Sequence, residues 1–157
     1  MEVDRRADEV VYRAHASELV RFATGLVGVD DAPDVVVDAF LRVSASTTWA
    51  EARDKRALWL RTIVFESRSL ARSADRRRAR ERRAAVLLAV PLGECVELPT
   101  DVIEALEQLS DQQRAVVVLT YWMDLDPMSV ASLLELSEGS VRKQLARARA
   151  RMREVLS

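Results

Sequence analysis

Residues 137–156 read SEGSVRKQLARARARMREVL. Set at 100° per residue, Val141, Leu145, Ala148, Met152 and Leu156 fall on one face of a helix, and Arg142, Lys143, Arg147, Arg149, Arg151 and Arg153 fall on the opposite hemisphere. Ser137 is a good N-cap, and the tight turn Glu135-Leu136-Ser137 separates this helix from one opened by the cap-and-proline pair Asp126-Pro127. Two helices joined so closely predict a helix-turn-helix, with the apolar face of the last helix packed on the helix from Pro127. A helix carrying six cations opposite its apolar face suits the major groove of DNA, where Arg and Lys neutralise phosphates and read guanine edges. Cations that merely complement a helix C-terminus account for Arg151 and Arg153. They do not account for Arg142 and Lys143 at the positive end. Side chains near the N-terminal end approach base edges in this docking geometry, which selects Ser140, Arg142, Lys143 and Gln144. Arg147, one turn on, reaches a base or a phosphate, and Arg149, Arg151 and Arg153 set charge and solubility.

Working upstream, Ser110-Asp111-Gln112-Gln113 is a capping box ahead of the apolar run Ala115–Leu119, and Thr100 or Asp101 caps a short helix through Leu106. Pro91-Leu92-Gly93-Glu94-Cys95-Val96-Glu97-Leu98-Pro99 carries three chain breakers and marks a linker. Before it, one helix runs from about Asp4 to Val27 and stops near Gly28. A second starts at Asp31, a capping acid with Pro33 in the first turn, and fades in the Ser/Thr cluster Ser44 to Thr48. A third begins near Asp54 and continues through Trp59, Ile63 and Leu70 towards Arg76-Arg77-Arg78. The expected fold is therefore all-α, with two small helical domains, residues 1–84 and 101–157, joined by a linker over 85–100.

Composition narrows the function. Lys+Arg number 24 against 25 Asp+Glu, but the near-balance hides blocks: residues 68–84 carry a net +6, residues 85–137 a net −8 and residues 138–157 a net +4. Two basic blocks flanking an acidic stretch read as two places that meet phosphate, or as two solvated helical faces. One Cys (Cys95) excludes an internal disulfide, and one His (His15) leaves no metal-site pattern. Neither a Gly-rich phosphate loop nor a nucleophile elbow occurs, so no catalytic residue, cofactor or small-molecule substrate is expected. The longest apolar run, Ala84–Leu92, falls far short of the roughly 20 residues that span a bilayer. The acidic start Met1-Glu2-Val3-Asp4 is not a signal peptide, and a cytoplasmic location with no membrane contact is the expectation. Only four Gly and four Pro argue against an all-β chain.

Two faces in the first half stand out. In the helix from Asp31, Val35, Val36, Ala39, Phe40 and Val43 form the core face, while Asp34, Asp38 and Arg42 form a polar stripe. Val37 and Leu41 fall beside that stripe, and apolar side chains among acids on an outward face suggest a protein partner. In the helix through Trp59, the core face is Trp59, Leu60, Ile63, Val64, Leu70 and Ala71, with Arg61, Phe65, Arg68 and Arg72 opposite. An outward phenyl ring among guanidinium groups is a stacking platform for unpaired bases. The competing reading packs Phe65 on a neighbouring helix and leaves the arginines solvated.

These pieces together resemble the extracytoplasmic-function group of bacterial RNA polymerase sigma factors. Asp31-Ala32-Pro33-Asp34-Val35-Val36-Val37-Asp38-Ala39-Phe40-Leu41-Arg42 resembles the region-two helix, and Trp59-Leu60-Arg61-Thr62-Ile63-Val64 the segment that follows. Leu109 to Arg114, Ser129 to Leu134 and Ser137 to Arg149 resemble region four. The resemblance implies binding to core RNA polymerase, through the β′ clamp and the β flap, and direction of the enzyme to promoter DNA. It places Asp34, Val37, Asp38, Leu41 and Arg42 on the clamp. It places Arg61, Phe65, Glu66, Arg68, Arg72, Arg76 and Arg77 at the minus-ten element, and Ser140, Arg142, Lys143, Gln144 and Arg147 at the minus-thirty-five element. Members are often held by an anti-sigma protein. The family commonly has Gln at Val37 and Asn at Glu66. A carboxylate at Glu66 accepts from a cytosine amino group but repels phosphate, so the minus-ten preference is expected to depart from the usual one. A helix break near Glu66 would undo the Phe65 stripe. Two other functions fit parts of the sequence: a helix-turn-helix DNA-binding regulator, and an adaptor that holds polymerase without opening DNA.

Overall fold

The computed structural model describes residues 5–72 and 98–157, and the side chains of residues 10–70 and 98–157. All elements among the described residues are helices. The chain divides into two compact units, Met1–Val96 and Glu97–Ser157.

In the first unit, α1 (Arg5–Val27) buries Tyr12, Ala16, Leu19, Ala23 and Leu26, the three-and-four spacing of one helix face. It ends where Gly28 takes φ +88°, a conformation that costs a glycine little. Asp31 itself takes helical angles, φ −93° and ψ −17°, instead of the extended ones that aim a cap side chain, and Pro33 behind it has no N–H to offer. Asp31 accordingly makes no cap hydrogen bond, against the expectation of a capping acid.

Helix α2 (Ala32–Ser44) packs on α1, on the short α3 (Thr47–Glu51) and on α4 (Lys55–Arg72). Three neighbours call for a wide apolar arc. Val37 is therefore fully buried with Val35 and Val36, which corrects its expected place on an outward face. Of that pair only Leu41 is outside, 43% exposed. The Ser/Thr cluster does more than end α2. Ser46 Oγ accepts from Thr48 N at 3.1 Å and starts α3, which delivers Trp49 to the core. Asp54 Oδ1 accepts from Ala57 N at 2.9 Å at the start of α4, and α4 runs unbroken past Glu66.

The core of this unit is aromatic. Trp59 is fully buried, and its ring lies 5.3 Å from Tyr12, 5.9 Å from Phe40 and 5.3 Å from Trp49. Edge-to-face and offset pairs at such spacings add to the gain from area burial. The Tyr12 hydroxyl and Trp59 Nε1 are buried without a hydrogen-bond partner among the described residues, and burial pushes the Tyr12 phenol up to about 12. At the edge, Arg56 Nε donates to Glu18 Oε1 at 2.8 Å, and His15 Nδ1 lies 3.4 Å from Glu18 Oε2.

In the second unit, α5 (Thr100–Glu107) begins ahead of both expected caps, Thr100 and Asp101, with Pro99 at its N-cap and no side-chain cap bond. Its C-terminal carbonyls are held by Arg114, whose Nε donates to Leu106 O at 2.8 Å and whose Nη2 donates to Glu107 O at 3.3 Å. A cation at a helix C-terminus also complements the dipole. Helix α6 (Asp111–Tyr121) opens with the Ser110/Gln113 capping box and buries Ala115 to Leu119. Helix α7 (Pro127–Leu134) opens with Asp126 Oδ1 accepting from Ser129 N at 2.7 Å. That bond holds the Asp126 carboxyl below its ordinary range. Helix α7 closes on Glu135 in the left-handed region, φ 56° and ψ 43°. Ser137 then caps α8 (Glu138–Leu156), accepting from Ser140 N at 3.1 Å. Helix α8 packs on α6 as well as on α7 and α5.

Candidate nucleic-acid interface

In α8, Val141, Leu145 and Ala148 are buried and Met152 is half-buried. Leu156 is 48% exposed, because the helix outruns the bundle it packs on. On the other side Arg142, Lys143, Arg147, Arg149, Arg151 and Arg153 are all exposed, while Ser140 and Gln144 are half-buried. The cations then separate into two groups. Arg149 Nε donates to the Tyr121 hydroxyl at 2.5 Å and its guanidinium lies 5.6 Å from that ring centre, and Arg151 pairs with Glu154 at 3.4 Å. Arg142, Lys143 and Arg147 have no side-chain partner among the described residues. Unpaired cations at the N-terminal half of a rigid helix hold their charge ready for an anionic groove without an ion pair to break.

The second basic surface lies on α4. Phe65 is outward, 52% exposed, as the stripe predicts. Arg61 is exposed and Arg68 half-buried. The side chain of Arg72, together with Arg76 and Arg77, lies outside the described residues, as do Cys95 and most of the expected linker. Glu66 does not stand open beside Phe65. It is buried, and Arg42 Nε from α2 donates to its Oε1. The same guanidinium sits 4.6 Å from the centre of the Phe65 ring. Neither the pair nor the stacking follows from the helical spacing of either segment, since the partners are 24 residues apart. The cation–ring pair Arg149–Tyr121 was likewise invisible to the helical wheel.

On α2, Asp34 and Asp38 are half-buried, Leu41 is exposed, and Arg42 turns towards α4. Among the described residues no group of three or more His, Cys, Asp or Glu is placed to hold a metal ion, and no helix is long and apolar enough to cross a membrane.

The family model for sigma-70, region 4 matches residues 100–152, the span of α5 through most of α8. The RNA polymerase sigma-E factor of Streptomyces coelicolor is 31% identical over 154 residues, covering 94% of this chain and 85% of that protein. The sigma-E factor of Streptomyces antibioticus is 30% identical over 157 residues, covering 94% and 83%. Among solved structures, CnrH in complex with the cytosolic domain of CnrY superposes with a TM-score of 0.68 at 26% identity, covering 98% of this chain and 89% of that one. Two helical units in this order, a helix-turn-helix with free cations, and relatives matched over nearly their whole length lead to one assignment: the chain belongs to the extracytoplasmic-function group of bacterial RNA polymerase sigma factors.

Proposed function

We propose that the chain is a transcription-initiation factor that mounts on core RNA polymerase and directs it to promoters through two DNA contacts. The carrying observation is the division of cations on α8: Arg142, Lys143 and Arg147 are exposed and unpaired among the described residues, whereas Arg149 and Arg151 are engaged within the unit. In this reading residues 101–157 form the module for the minus-thirty-five element, with Ser140, Arg142, Lys143, Gln144 and Arg147 facing the groove. Residues 1–84 form the module for core polymerase and the minus-ten element, and residues 85–100 form the linker.

On α2, Asp34, Asp38 and Leu41 supply the face for the β′ clamp. Val37, being buried, does not belong to it. Arg61, Phe65 and Arg68 supply the surface for the melted strand, extended by Arg72, Arg76 and Arg77. The β flap is the expected seat of the second module. Because the factor works on polymerase, it acts in the cytoplasm, and it performs no catalysis of its own. CnrH is solved with the cytosolic domain of CnrY, which supports a further protein partner for this chain, of the anti-sigma kind that the resemblance implies.

The test is capture of core polymerase by the tagged chain, followed by run-off transcription and footprinting of the assembled complex. Protection at both elements supports the assignment. DNA binding by the chain alone, with no capture of core polymerase, would instead make it a helix-turn-helix regulator.

A further inference from the structure

The contact between α2 and α4 has consequences beyond holding two helices together. Arg42 carries its guanidinium to Glu66 and lays it over Phe65. The three groups differ in exposure: the Glu66 carboxylate is nearly enclosed, while the Arg42 side chain is 57% exposed and Phe65 52%. An enclosed carboxylate left alone is costly, so Glu66 favours keeping the guanidinium beside it. The bond uses Nε, and the two Nη groups have no other partner among the described residues. A planar guanidinium fixed on a phenyl ring presents those donors as a fork suited to base-edge or phosphate oxygens.

We propose that Arg42 is part of the site for the unpaired promoter strand, and that Glu66 is its positioning residue. The inference rests on the reading of the first unit as the minus-ten module. The guanidinium covers one face of the phenyl ring; the edge of an unpaired base meets the Arg42 Nη donors in the plane of the guanidinium, and the open face of the ring takes the neighbouring base. Glu66 then reads no base itself. Its charge is spent on Arg42, which removes the phosphate repulsion that a bare carboxylate would exert next to DNA. An acceptor-rich edge, such as the O6 and N7 of guanine, is the preferred ligand of such a fork. Arg42 thus passes from the polymerase-facing stripe of α2 to the DNA-facing surface of α4.

The experiment uses the full chain assembled with core polymerase. The probe is a labelled fork-junction DNA with an unpaired minus-ten strand, built on a promoter that the wild-type holoenzyme transcribes. Probe affinity and core affinity are measured separately for F65A, R42A, R42K, E66Q and the double variant R42A/E66Q. Loss of a stacked contact costs roughly tenfold in probe affinity, which is the expected result for F65A and R42A. R42K keeps the charge but not the plane, and is expected to stay near R42A. E66Q is nearly isosteric, so it tests positioning without a packing defect. It is expected to lose several-fold in probe affinity, and R42A/E66Q is expected to bind no more weakly than R42A alone.

The inference is overturned by any of three results: wild-type affinity for the probe in R42K, a loss in R42A confined to core binding, or independent multiplication of the R42A and E66Q losses. A wild-type chain that captures no core polymerase is a different outcome, and it removes the proposed function as well.

Discussion

Glu18 meets Arg56 across 38 residues and Arg42 meets Glu66 across 24, whereas Ser110, Asp126 and Ser137 each hold a backbone N–H only three residues away. The first unit is built on long-range pairs around four aromatic rings, Tyr12, Phe40, Trp49 and Trp59. The second has a core of small and branched side chains such as Ala115, Val116, Val118 and Val130, and a side-chain cap opens each of its last three helices, with Arg149 also reaching Tyr121 across 28 residues; in the first unit Ser46 and Asp54 are the local caps. The first unit adds its ring cluster to an aliphatic core that includes Leu19, Val36 and Ile63, and the second has an aliphatic core without such a cluster among the described residues. The DNA-facing groups differ in the same sense: Arg42 of the first unit is tied to a distant partner, and Arg142, Lys143 and Arg147 of the second are free among the described residues.

The sharpest way to break this contrast is Trp59→Ala. Deleting a buried Trp from a packed cluster costs about 3–5 kcal/mol. Hydrogen exchange should show protection falling in α1, α2 and α4 while α6, α7 and α8 keep theirs. Equal loss in both units would mean that the second leans on the first core, and the comparison would fail.

Arg142→Ala tests the free cations. If Arg142 reads a base, the holoenzyme loses about 1–3 kcal/mol of discrimination at that position of the minus-thirty-five element. If it meets a phosphate, binding weakens evenly across sequences and the slope of log affinity against log salt falls by about 0.9. With about four to six phosphates neutralised at the two basic surfaces, the wild-type slope is expected near −4 to −5. Arg151→Ala should change that slope less, because Glu154 already offsets its charge.

High pH should distinguish the units next. The Tyr12 phenol is raised by burial to about 12, from an ordinary value of about 10. The sign follows from linkage: the unfolded chain gives up this proton first, so the contribution is complete below about pH 10 and is lost as pH climbs towards 12. Alkaline titration should therefore loosen the first unit ahead of any effect that this group has on the second. Tyr12→Phe removes that dependence, and it also removes a buried hydroxyl without a partner among the described residues, so it is expected to gain about 1 kcal/mol in thermal unfolding. A loss on Tyr12→Phe would show that the hydroxyl is satisfied in solution.

The same contrast decides how much could be read from the chain itself. Caps and turns are written in neighbouring letters, so Ser110, Asp126, Pro127 and Ser137 announced α6, α7 and α8 at their true starts. Helical periodicity likewise placed Val141, Leu145 and Ala148 inside and Phe65 outside. Periodicity failed where more than one neighbour covers a helix. Val37 looked outward on a wheel with a single core direction, yet α2 is wrapped by α1, α3 and α4. Asp31 looked like a cap, but its own backbone is already helical and Pro33 offers no N–H. Glu66 showed no partner in the sequence because Arg42 sits on another helix. No local spacing encodes a pair such as Arg42–Glu66, which exists only once α2 and α4 have packed.

Ser137→Ala probes the local side of the contrast at smaller scale. Losing the hydroxyl that accepts from Ser140 N is expected to cost about 1 kcal/mol, read by denaturant unfolding of the full chain. It should also weaken minus-thirty-five binding slightly, since the cap fixes the first turn that presents Ser140 and Arg142.

The smallest effect belongs to the turn just before that cap. Glu135 sits at φ 56°, where a residue with a Cβ pays about 1 kcal/mol that glycine does not. Glu135→Gly recovers this cost but adds freedom to the unfolded chain, which takes back about 0.4–1 kcal/mol. The net gain is therefore a few tenths of a kcal/mol. The substitution also removes an anionic side chain next to a helix expected to meet DNA, so stability and affinity would change together. Glu135→Ala separates them, because it removes the charge and keeps the strained backbone. Glycine should be more stable than alanine by denaturant midpoint, and the two should bind minus-thirty-five DNA alike. If alanine is the more stable, the left-handed turn is not where this unit carries strain, and its tight geometry is set by the packing of α7 on α8 instead of by the chain at Glu135.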